Sequence, residues 1–165
     1  GDLSQAIDLL RKQGQQVVAK KSGRTSKEGV VEAYVHSNWK IGVLVEVRCE
    51  TDFVARSEDF RAFVHELALQ VAAAAPLYLA PEDVPADIVA KEREVAAAQL
   101  QGKPAAVIDR AVEGKIEKFF AQACLLKQPS IRDDSQTIEQ QLTALVAKIG
   151  ENIQITRFTR YALNG

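Results

Sequence analysis

Between residues 31 and 75 the spacing of apolar residues changes period once, and that change does most to fix the class of fold. Val31, Ala33 and Val35 alternate with Glu32, Tyr34 and His36; then Ile41, Val43, Val45, Val47 and Cys49 alternate with Gly42, Leu44, Glu46 and Arg48. A period of two, rich in β-branched residues, predicts two strands. The four residues Ser37 to Lys40 between them suit a hairpin connection. From Phe60 the period lengthens. Phe60, Phe63, Val64, Leu67, Ala68 and Val71 form one stripe of a helix over 57–75, ended by Pro76 and Pro81.

The rest of the chain adds helices and one late strand. Leu3, Ile7 and Leu10 predict a short helix over 2–13, with Gly14 as the residue beyond its end. Residues 15–29 read as a basic linker, with Lys20, Lys21, Arg24 and Lys27 against Glu28. Helices are predicted from Pro85 to Gln101, from Pro104 onward and over 135–148, the last with Gly150 beyond its end. A strand closes the chain at 152–161. Its alternation is imperfect, since Ile153 and Ile155 are in phase and Phe158 is not. The sum is an α+β fold: a three-stranded antiparallel sheet, the late strand beside the hairpin, with helices packed on one face. The division is 1–14, 15–29 and 30–165.

Composition removes several function classes. Lys and Arg number 21 and Asp and Glu 22, a net charge of −1, which argues against a protein whose main task is coating nucleic acid. Cys49 and Cys124 form no CxxC pair, and with only His36 and His65 no zinc constellation arises, so no metal and no cofactor is expected. The most apolar stretch, 67–80, is shorter than the ~20 residues that span a bilayer. The first residues carry no cationic leader before an apolar run, and the missing initiator Met reads as a trimmed start. These features suit a cytoplasmic protein with no membrane partner. Gly102-Lys103-Pro104 and Gly114-Lys115 lack P-loop spacing, and neither His has a nucleophile at local spacing, so the chain is not expected to be an enzyme.

Two segments invite a binding role. Arg157-Phe158-Thr159-Arg160-Tyr161 interleaves basic and aromatic residues. It reads either as a surface that stacks bases or as a sheet strand with aromatics inside and arginines outside. With the basic linker it supports an alternative function, a nucleic-acid or ribosome-binding module. The second segment, Cys49-Glu50-Thr51-Asp52-Phe53-Val54-Ala55-Arg56, joins a strand to a helix yet carries Phe53 and Val54. Thr51 or Asp52 caps the helix and Phe53 folds into the core, or Phe53 projects beside a carboxylate as a protein-binding anchor.

Glu50-Thr51-Asp52-Phe53-Val54-Ala55 resembles the hallmark motif of the elongation factor Ts family, the nucleotide-exchange factors of translation. The surroundings agree in the family's order over residues 20–161: Gly42-Val43-Leu44-Val45-Glu46, Gly102-Lys103-Pro104, Glu113-Gly114-Lys115, Lys118-Phe119 and Lys148-Ile149-Gly150-Glu151-Asn152-Ile153. The resemblance implies a guanine-nucleotide exchange factor that binds elongation factor Tu and promotes GDP release. It implies partner-binding roles for Thr51, Asp52, Phe53 and Val54, with Asp52 and Phe53 entering near the nucleotide and its Mg²⁺. It also implies that residues 1–14 are the last helix of a truncated ubiquitin-associated-like module and that 30–165 form the core (dimerisation) domain. A single core subdomain resembles the family's short forms, which implies a non-covalent homodimer. Some short forms carry a linking cysteine in the last strand, where this chain has Thr159. No direct nucleic-acid partner is implied, and the setting is a bacterial cytoplasm or its organellar equivalent.

Overall fold

A computed structural model describes residues 2–163. The elements in order are α1 (Leu3–Lys21), β1 (Glu28–Val35), β2 (Ile41–Cys49), α2 (Asp52–Ala55), α3 (Glu58–Ala74), α4 (Ala86–Ala98), α5 (Ala105–Ala123), α6 (Ile138–Ile149) and β3 (Gln154–Ala162). The sheet has the order β1-β2-β3, and both pairings are antiparallel. This is the expected α+β arrangement.

The core lies between the sheet and α3. Val43, Val45, Val47 and Cys49 turn one face of β2 toward Phe60, Val64, Leu67 and Val71, and all eight are buried. Removing such side chains from water is the main favourable term in folding. From α6, Ile138, Leu145 and Val146 close the same core. The α4–α5 hairpin carries its own small cluster of Ala96, Val112 and Ile116. Among the described residues, no helix is long and apolar enough to cross a membrane.

Three of the departures from the sequence reading have a cause visible in the structure. Firstly, the helix expected to stop before Gly14 continues to Lys21, so the linker expected over 15–29 shrinks to 22–27. Gly14 is buried inside the helix, and a Cβ there would lie 3.0 Å from Thr143 Cγ2 on α6. The glycine serves close helix approach, with Val17 and Val18 packing against the core beyond it. Secondly, α6 starts at Ile138, where Thr137 and Gln140 form a capping box. Thirdly, β3 contains a bulge. Glu46 pairs with Arg157 but Val47 pairs with Ile155, so Thr156 is the extra residue. The bulge resets the alternation and brings both Ile155 and Phe158 to the helix side.

No described helix packs on the opposite face of the sheet. Val31, Ala33, Val35, Leu44, Thr159 and Tyr161 are exposed there. Pairing aligns Ala33, Leu44 and Thr159 in one row and Val35, Gly42 and Tyr161 in the next.

Candidate functional site

The site forms where β2 leaves the sheet. Cys49 is buried, and its Sγ donates to Thr51 O at 3.2 Å. Burial pushes its thiol up to about 11, with the Glu151 carboxylate adding to the effect. The chain then turns into the four-residue α2. Thr51 Oγ1 accepts from Val54 N at 3.3 Å, so Thr51, not Asp52, caps the helix. At the other end, Ser57 Oγ donates to Val54 O at 2.7 Å and accepts from Phe60 N, which starts α3. A single helical turn cannot persist alone. Here it is fixed at both ends.

The capped turn points its side chains in opposite directions. Val54 and Ala55 are buried in the core, and Phe60 anchors the next helix beneath them. Phe53 points away, with 81% of its surface exposed. Asp52 is also exposed and pairs with Arg56 one turn later. Asp52, Phe53, Arg56 and Ser57 line a shallow groove. Of the four residues implied as partner-binding, Asp52 and Phe53 face solvent, Thr51 caps the turn and Val54 holds it to the core. The reading that folds Phe53 into the core does not hold, because the core below α2 is already filled by Val54, Ala55 and Phe60.

The junction depends on residues a hundred positions away. Glu151 Oε1 accepts from Glu50 N and from Thr51 N, both at 3.0 Å, and Glu151 Oε2 accepts from Thr51 Oγ1 at 2.7 Å. In return, Glu50 Oε1 accepts from Asn152 N at 2.7 Å. Gly150 ends α6 in the left-handed region at φ 83°, which turns Glu151 and Asn152 toward the junction. Asn152 also ties in the segment after α1: its Nδ2 donates to Arg24 O at 2.8 Å, and Ser26 Oγ donates to its carbonyl. Glu50, Glu151 and Asn152 were not among the expected site residues. The signal for them was Gly150-Glu151-Asn152, a helix stop followed by polar groups, but sequence spacing gave no partner.

The other candidates lie elsewhere. His65 Nδ1 is 3.2 Å from Glu32 Oε1, and His36 Nδ1 is 2.8 Å from Tyr34 Oη, at the β1 side of the sheet. Within 157–161 the side chains divide between two faces. Arg157 points outward and pairs with Glu46, while Arg160 turns inward and donates from Nε to Ala72 O. They form no common surface with Phe158, which packs against the core. Among the described residues, no three His, Cys, Asp or Glu side chains are grouped to hold a metal ion.

Comparison with known proteins fits this arrangement. A family profile described as Elongation factor TS matches residues 4–145. The chain is 55% identical to "Elongation factor Ts" of Caldanaerobacter subterraneus subsp. tengcongensis over 163 residues, covering 98% of this chain and 82% of that protein. It is 51% identical to the protein of the same name from Thermotoga maritima over 163 residues, 99% of this chain and 82% of that one. For Carboxydothermus hydrogenoformans the identity is 52% over 165 residues, 99% of this chain and 76% of the relative.

Proposed function

The chain belongs to the elongation factor Ts family, guanine-nucleotide exchange factors for elongation factor Tu, and we propose that it releases GDP by inserting Asp52 and Phe53 beside the nucleotide site of that GTPase. The observation that carries this reading is the exposure of Phe53 on a helical turn fixed at both ends. A soluble fold gains nothing internally from a large aromatic ring held in water. Burying it in a partner contributes about 1.5–3 kcal/mol, which is tenfold or more in an equilibrium constant.

No bond is made or broken in this role. The factor and the nucleotide bind the GTPase with opposing preferences, and the coupling is reciprocal: whatever favours the factor-bound state weakens nucleotide by the same factor. Mg²⁺ on the GTPase bridges the phosphates and demands near-octahedral geometry. A ring wedged beside its surroundings therefore weakens nucleotide binding through a small displacement. The rigidity of α2 matters because a mobile Phe would lose ordering entropy on insertion.

The proposed setting is the cytoplasm, bacterial or organellar, where translation runs. A non-covalent homodimer is part of the same reading, with the uncovered face of the sheet and its last strand as the contact. Nucleic acid is not a proposed partner, since the basic residues of 157–161 are already engaged with Glu46 and α3.

The test is release of fluorescent GDP from elongation factor Tu with wild-type protein and Phe53→Ala. The substitution should slow catalysed release tenfold or more and leave the thermal midpoint unchanged. An unfolded variant, or a folded one with full exchange activity, overturns the reading.

A further inference from the structure

We infer that Glu151 is a positioning residue for exchange: its carboxylate sets the place and pitch of the turn that carries Phe53, without touching the partner's nucleotide site. The inference rests on the proposed role of Phe53 and names the device that makes it work.

Three donors of the junction converge on this one side chain. Two are consecutive backbone N–H groups, of Glu50 and Thr51, and the third is the Thr51 hydroxyl. Consecutive N–H groups that share one oxygen must point to the same side, which fixes the peptide plane just before α2. Hydrogen bonds to an ionised acceptor are shorter and stronger than neutral ones. The Thr51 hydroxyl then couples this anchor to the helix. It donates to Glu151, and the same oxygen accepts from Val54 N. With its proton committed to Glu151, Thr51 Oγ1 offers its free lone pairs to α2. Glu151 thus determines the cap, and the cap determines where residue 53 points.

Glu151 is itself held. Gly150 and Asn152 flank it: Lys21 Nζ donates to Gly150 O, and Asn152 N donates to Glu50. The clasp closes in both directions between the two segments, so neither can shift alone. Core packing alone does not achieve this. Val54 and Ala55 fix the depth of the turn from below, whereas the Glu151 carboxylate fixes the two peptide groups through which the chain enters it.

The test measures the limiting rate of fluorescent GDP release at saturating factor, for wild type, Glu151→Ala, Glu151→Gln and each in a Phe53→Ala background. Glu151→Ala should lower the limiting rate about tenfold. Glu151→Gln should recover most of it, since the amide oxygen accepts the two N–H groups and the amide nitrogen donates to Thr51. On the Phe53→Ala background, Glu151→Ala should change the rate less than twofold, because a positioning residue has nothing left to position. Thr51→Val, which keeps the shape but removes the hydroxyl, should lower the rate severalfold on its own and serves if Glu151→Ala does not fold. If Phe53→Ala is slow while Glu151→Ala and Thr51→Val stay within twofold of wild type, the positioning role is refuted and the Phe53 reading stands. Losses that multiply across the double variant also refute it, by showing that Glu151 acts apart from Phe53. A fully active Phe53→Ala overturns both.

Discussion

Gly14 on α1 and Thr143 on α6 approach so closely that a Cβ at position 14 would sit 3.0 Å from Thr143 Cγ2. That distance sets the spacing of the two helices. It also explains a glycine in the middle of a helix, where it costs about 1 kcal/mol relative to Ala. Two effects then oppose each other for Gly14→Ala: a helix-propensity gain of that size and a contact that must open by a few tenths of an ångström. They should nearly cancel. Gly14→Val keeps only part of that gain and adds two methyl groups to the contact, so it should destabilise the α1–α6 packing by about 1–3 kcal/mol. Hydrogen exchange in α1 should accelerate in the Val variant and not in α3, and Thr143→Ala should restore it.

Asp52 and Arg56 pair across one exposed turn, with side-chain exposures of 59% and 80%. Ion pairs in such settings contribute roughly 0–1 kcal/mol. Thr51 supplies the cap of α2, so Asp52 is not needed to form the turn. Asp52→Ala should therefore leave stability unchanged and reduce catalysed GDP release less than Phe53→Ala does. Arg56→Ala separates the roles. If Asp52 acts through its own contact with the GTPase, Arg56→Ala should be close to wild type in the release assay. Equal losses for both would assign the effect to the ion pair.

Much of this architecture was legible from residue spacing, and the exceptions share a cause. Alternation over 31–36 and 41–49 located both strands and the apolar face of β2, because Val43, Val45 and Val47 really do share a buried face. The same alternation in β1 identified a strand without saying which face lay inward. Val30, Glu32 and Tyr34 are the half-buried set, whereas Val31, Ala33 and Val35 face away from the helices. Gly14 read locally as a stop signal, and only its neighbour Thr143 reveals it as a contact. Phe158 read as out of phase because a bulge is a property of two strands. Thr51 could be read as a cap from three residues of sequence. Glu151 could not be assigned to Thr51, because nothing local records a hydrogen bond across a hundred positions.

Glu46 offers a readout of the sheet's integrity as a function of pH. Its carboxylate lies on β2 between Arg157 at 2.6 Å and Arg48 at 2.7 Å. The hydrogen bond from Arg157, then that from Arg48, holds its pKa down at about 2, against an ordinary value of 4.5. A depressed folded-state pKa means that the unfolded chain takes up the proton first. The contribution is therefore fully present above about 4.5 and is lost as pH falls toward 2. Urea unfolding of the wild type should show falling stability across that window. Glu46→Gln should start lower at neutral pH and follow a flatter profile between the same limits. Parallel profiles for the two proteins would show that the arginine contacts contribute nothing to folding.

The uncovered sheet face bears on assembly. Leu44 sits at its centre on β2, flanked by Ala33 and Thr159, and is 47% exposed. Val31, Val35 and Tyr161 extend the patch, with 64%, 56% and 76% of their surfaces exposed. Contiguous exposed apolar side chains of this kind mark interaction surfaces. Packing sheet on sheet buries them at a spacing of about 10 Å, and a two-fold axis would set Leu44 of one copy near Leu44 of the other. Sedimentation equilibrium should then report twice the 18.1 kDa chain mass for the wild type. Leu44→Lys places like charges across that axis without disturbing the opposite, buried face of β2, so it should give a folded monomer with an unchanged circular dichroism spectrum. Since Phe53 lies on α2, beyond the C-terminal end of β2, and is not part of this patch, the monomer should still bind elongation factor Tu. A wild type that stays monomeric at high concentration, or a Leu44→Lys variant that stays dimeric, rules out this face as the contact.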